Sequence, residues 1–180
     1  MAEKAKEYKV ERHEAYIAID ELMRDYFDFG ITHSKCQECS GYKKTWACPN
    51  FDFEPEAFLR SFSGLNLIVD RVYNSGAETA CIAQERLFSE KKRFDREMRE
   101  LEKENPGSYG MAAQECVACK KCVRLSGHPC IHPDIMRYGP EAIGIIAAKL
   151  VPDKFGFPLL WSDGVSIPEY YVLCAGILIK

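Results

Sequence analysis

"PEYYVLCAGILIK", residues 168–180, runs apolar from Tyr170 to Ile179 with no polar alternation. A strand that offers no polar face to water must be covered on both sides, so this stretch predicts the centre of a sheet. Upstream, "LNLIVDRVY" (65–73) is β-branched and nearly continuously apolar, which predicts a second buried strand. "FGFPLLWSDG" (155–164) reads as another. The charged segment 78–104 carries Leu87, Phe94, Met98 and Leu101 on one stripe and predicts an amphipathic helix, ended by "NPGSYG". Its run "SEKKRFDREMRELEKE" (89–104) reads as a solvated helix face.

Two further helices are expected. "AYIAIDELMRDYFDFG" (15–30) spaces Ile19, Leu22, Met23, Tyr26 and Phe27 helically, with Gly30 as its stop. "GPEAIGIIAAKLVP" (139–152) has Pro140 in its first turn, Ile143, Ile146, Ala147 and Leu150 on one face, and Pro152 at its close. Residues 31–57 read as loop. Strands interleaved with helices predict an α+β (or α/β) fold: a single-domain sandwich, residues 1–180, of a small mixed sheet with helices and cysteine-rich metal-binding loops. The pattern does not choose a strand order.

Composition narrows the function classes. At 180 residues, 47% hydrophobic and 28% charged, the chain can bury a core without covalent help. A net charge of -3 argues against a general nucleic-acid binder. No apolar run reaches membrane-spanning length, and "MAEKAKEYKVERHE" has no apolar signal core, so a cytoplasmic location is expected. In that reducing compartment nine cysteines read as metal ligands or redox groups rather than disulfides.

Seven of them cluster: Cys36, Cys39 and Cys48, then Cys116, Cys119, Cys122 and Cys130. "CVACKKCVRLSGHPC" (116–130) contains Cys-x2-Cys-x2-Cys, a compact spacing that turns successive thiolates onto different corners of one iron–sulfur cube. Cys130, with Pro133 three residues on, fits the fourth ligand. A 4Fe-4S cluster on these four cysteines is the expectation. Zinc is the alternative, although a structural four-cysteine zinc site usually joins two separated Cys-x2-Cys hairpins. Lys120, Lys121 and Arg124 would offset the charge of an anionic cube, as would the helix dipole expected after Pro140.

The first group, "CQECSGYKKTWACPNF", supplies three thiolates and a less certain second metal site. Its fourth ligand could be Cys81, His33, another polar group or an exogenous molecule. An iron without a protein thiolate would be open to a substrate. Ligands could also cross between the groups. Taken alone, Cys81 and Cys174 read as core thiols and His33 as a surface loop residue. His128 and His132 read as supports for the metal loop, and Trp46 as a shield against water.

These two cysteine segments resemble a prokaryotic domain-of-unknown-function family labelled "predicted metal-binding protein". The resemblance is carried by Cys36, Cys39, Tyr42, Trp46, Cys48 and Pro49. It continues through Cys116, Cys119, Cys122, Cys130 and Pro133 into Glu141, Ala142 and Gly144. The chain has Asn50 where a double proline is usual, and Ile145-Ile146 where an acidic residue is expected. The resemblance implies a metal centre in a compact domain, typically in anaerobes.

Three functions follow from these readings. The first is a cytoplasmic iron–sulfur protein exchanging electrons with a redox protein partner. The second is an enzyme with an open-coordination cluster at the first cysteine group. The third is a module whose iron or zinc staples an interaction surface.

Overall fold

A computed structural model of the chain describes residues 8–162 and 165–180. The fold is α+β, as the sequence predicts, and its four-stranded sheet is antiparallel at every pairing. The elements run β1 Val10–Ala18, α1 Ile19–Asp25, α2 Phe29–Glu38, α3 Pro55–Arg60, β2 Gly64–Tyr73 and α4 Ala80–Glu104. They continue with β3 Tyr109–Gly110, α5 Ala147–Phe155 and β4 Tyr170–Ile179. Spatial order is β1-β2-β4-β3. The stretch 168–180 thus supplies an inner strand, with Leu173, Ala175 and Leu178 wholly buried. Among the described residues no helix is long and apolar enough to cross a membrane.

Helix α4 lies on the sheet through Phe94 and Met98, both fully buried. Charge joins the same contact. Arg12 of β1 is opposite Asp70 of β2 and binds it through two hydrogen bonds, 2.8 and 3.0 Å. Arg93 and Glu97 of α4 close the network onto Asp70 and Arg12. Residues 89–104 are therefore not simply a solvated face: Glu90, Lys91 and Asp95 are buried.

Several expected boundaries shift. Strand β1 takes residues 15–18 from the helix expected over 15–30, which begins only at Ile19, and its first half has no clear reading because an edge strand carrying Glu11, Arg12, His13 and Glu14 lacks apolar alternation. Gly30 does not stop a helix; it sits inside α2, and much of the expected 31–57 loop is helical in α2 and α3. The stretch 156–162 forms no strand, and the remaining residues of that expectation, 163 and 164, lie outside the described residues. Pro152 does not close a helix but falls within α5, which ends at Gly156. Pro140 opens only a 3-10 turn, Glu141–Ile143, so the helix dipole expected there is missing.

That turn still fixes a site residue. Gly144 follows it at φ 100°, and a Cβ there would come within 2.4 Å of the Phe27 ring. Asp28 donates its N–H to the Gly144 carbonyl (2.9 Å) and Ile146 donates to the Tyr26 carbonyl (2.8 Å). The α1–α2 junction is thereby stitched to residues 144–146, and α2 packs on the 3-10 turn that carries Glu141. Glycine is required for that close approach.

Candidate metal centre

The first cysteine segment leaves the end of α2. Asp28 caps the helix by accepting the Ile31 N–H at 2.8 Å. Cys36 lies in its last turn, and Cys39 at the C-cap donates its N–H to the Cys36 carbonyl (3.1 Å). Tight turns follow: Tyr42 N–H to the Cys39 carbonyl, Lys44 to Gly41, Cys48 to Thr45, at 3.0 to 3.1 Å. The Gly41 N–H points at the Cys39 sulfur, 3.3 Å away. Thr45 Oγ1 is 3.4 Å from the Cys48 sulfur. His33, expected in a loop, is on α2, stacked on Phe29 and sharing a 3.0 Å hydrogen bond with the Tyr42 hydroxyl.

Gly41 draws two of these thiols together, its N–H pointing at Cys39 and its carbonyl accepting from Cys48 at 3.5 Å. Burial pushes Cys36 up to about 11, and the charges of Glu141, Cys48 and Cys39 push the same way. A thiol raised in the folded chain stabilises the fold while protonated, and that contribution is lost as pH climbs from 9.0 to about 11. Metal-free reduced protein is therefore expected to lose thermal stability across that window. A Cys36→Ala variant should lose measurably less, as read by circular dichroism melts; identical pH profiles would contradict the placement.

The second segment is anchored upstream. Lys91, buried in α4, pairs with Asp95 at 2.8 Å and donates to the Ala113 carbonyl. Asp95 accepts the Ala113 N–H at 3.0 Å. Both backbone groups of Ala113 are thus held three residues before Cys116. Burial raises the Cys116 thiol, a hydrogen bond from the Ala118 backbone and the Lys91 charge lower it, and Cys130 and Cys119 raise it again. Cys116, Cys119 and Cys130 therefore share one field. Cys122 begins the 3-10 turn Val123–Ser126, which ends at Gly127 with φ 73°. All four cysteines of this segment are partly buried.

Two side chains clasp the segments together. Arg124 donates to the carbonyls of Thr45 (2.5 Å) and Cys48 (2.7 Å), with its guanidinium 5.1 Å from the Trp46 ring centroid. Trp46 Nε1 donates to the His128 carbonyl at 3.0 Å. Arg124 is thus a bridge as well as a local cation, and Trp46 does more than shield.

The remaining candidates separate cleanly. Cys174 is buried on β4, and burial holds its thiol well above the ordinary range. Cys81 is exposed in the first turn of α4, so it is not a core thiol. Glu141 is the residue sequence reasoning underrated. Burial raises its carboxyl, and its charge reaches both Cys36 and Cys174. It lines a cavity of about 280 Å³ beside β4, with Gln114, Leu160, Trp161, Tyr171 and Cys174. The Tyr171 hydroxyl is buried there without a hydrogen-bond partner among the described residues. The Glu-Ala-x-Gly pattern was the available signal. Lys91 and Asp95 were legible too, since Lys91 falls on the line Leu87, Lys91, Phe94, Met98.

The donor set fits a soft metal centre: thiols grouped by field, with the Gly41 N–H at one sulfur and the Ala118 backbone at another. Among the described residues, no group of three or more His, Cys, Asp or Glu side chains is brought together so as to hold a metal ion. The family described as "Predicted metal-binding protein (DUF2284)" matches residues 30–179, and the chain belongs to it. No curated protein and no solved structure matches the chain.

Proposed function

We propose that this member of the metal-binding family holds a 4Fe-4S cluster on Cys116, Cys119, Cys122 and Cys130 and exchanges electrons with a protein partner in the cytoplasm. What supports the reading is the Cys-x2-Cys-x2-Cys spacing with Cys130 after it, on a segment tied to α4 through both backbone groups of Ala113. Four thiolates at this spacing suit the corners of a cube. The loop also offers a docking surface: Leu125 and Ile131 are 55% and 59% exposed, and Lys120 and Lys121 stand exposed beside them. Apolar contacts with a charged rim serve brief encounters between redox proteins.

A second reading has its own support. The charge of Glu141 reaches Cys36, the thiol at the end of α2 that Cys39 and Cys48 follow, and Glu141 also lines the cavity beside β4. A cluster held there by three thiolates would leave one iron for a substrate entering that cavity, with Glu141 as a proton donor. Anaerobic purification followed by iron, sulfide and zinc analysis separates these readings. The expected protein is brown and bleached by dithionite, with about four irons per chain for one cube and about eight for two. A colourless zinc protein would overturn both and leave the metal as a staple of an interaction surface.

A further inference from the structure

The chain has ten arginines, and eight of them make a hydrogen bond or ion pair with the protein. The two without such a partner among the described residues, Arg96 and Arg99, line the same cleft. It measures about 270 Å³ and lies between the middle of α4 and the loop at Cys116–Ala118, with Lys92 and Arg137 in its walls and one carboxylate, Asp95, among them. Lys92, Arg96 and Arg99 follow one another at i, i+4 and i+7, so one face of α4 stacks three like charges. That arrangement weakens a helix unless an anion lies across it. The nearby acidic residues of α4 are mostly engaged elsewhere, and Glu100, four residues beyond Arg96, makes no ion pair with it among the described residues. Glu90 and Glu97 bind Arg93, Glu102 binds Arg137 through two hydrogen bonds of 2.7 and 2.9 Å, and Asp95 is held by Lys91. In a chain whose net charge is -3, this is a local excess of cation rather than a general one.

The cleft reaches Cys116, at the start of the second cysteine segment.

We propose that this cleft binds a small organic anion, a carboxylate or phosphate monoester, against Arg96 and Arg99 at the edge of the second cysteine segment. Guanidinium forks match both oxyanions in paired hydrogen bonds. The volume falls just below the ~300–1,000 Å³ of sites for drug-sized ligands, which suits a small metabolite. Val117, Ala118 and Ile135 give the cleft an apolar side for the carbon part of such a molecule. The proposal does not depend on which metal the cysteines hold.

Calorimetric titration of the anaerobically purified full chain with succinate and with inorganic phosphate, at fixed ionic strength, tests it. Saturable binding of one or both at one per chain is expected, and the preferred anion identifies the headgroup. The double variant Arg96→Gln/Arg99→Gln should weaken that binding about tenfold or more while retaining its metal content and melting temperature. Unchanged affinity in the double variant would overturn the proposal. So would the absence of saturable binding at millimolar concentrations of either anion, and binding of polyglutamate alone would assign the cleft to an acidic protein instead.

Discussion

An anaerobically prepared Cys116→Ser variant is expected to carry about four fewer irons per chain than the unsubstituted protein, with a matching loss of visible absorbance. Serine is a harder and weaker ligand, and this position is held rigidly. Ala113 upstream is pinned at both backbone groups, so the loop cannot easily slide a substitute thiol into place. Cys122→Ser should behave alike. Cys81→Ser and Cys174→Ser serve as controls, because one thiol is exposed on α4 and the other is buried on β4. Iron content unchanged in Cys116→Ser, or lost equally in the Cys81 control, would mean that other sulfurs hold the centre.

Asp95→Ala should cost about 3–5 kcal/mol of stability, because it strands the Lys91 ammonium in the protein interior. Lys91 is 1% and Asp95 5% exposed, so water cannot take the missing partner's place. For a chain of this length that corresponds to a fall in melting temperature of about 10 °C. Removing both charges together, Lys91→Met with Asp95→Leu, should recover much of the loss, since apolar side chains of similar volume tolerate that environment. The double variant retains a defect at the metal loop, as Ala113 loses both of its side-chain partners. Differential scanning calorimetry of the three proteins measures this. A double variant no more stable than Asp95→Ala would refute the buried-charge account.

The parts of the fold that were legible in the sequence are those with a single apolar signal. Strand β4 shows no polar face because α4 and the other side of the sheet both cover it; β2 reads the same way for the same reason. Strand β1 escaped because its registry with β2 is built on Arg12–Asp70 and other polar pairs, which no apolar periodicity reports. Helix α2 escaped because "FGITHSKCQE" buries only Thr32 and so carries almost no amphipathic stripe. Its existence depends on the local Asp28 cap and on packing against the turn at Glu141, more than a hundred positions away.

The candidate site divides along the same line. Cysteine spacing marks two thiol groups in the sequence, since ligand geometry acts over a few residues. The clasp formed by Arg124 and Trp46 left no trace, because each reaches a backbone carbonyl, and a carbonyl is the same on every residue. Glu141 was visible only as part of a motif. Its significance comes from Cys36 and Cys174, which the fold brings near it from α2 and β4.

The Arg124–Trp46 clasp has a thermodynamic corollary. Each loop loses conformational entropy when it is ordered, and contacts between them mean that ordering one leaves less to lose in the other. Loading at either cysteine segment should therefore favour loading at its neighbour, so that partially filled chains are scarcer than independent filling would give.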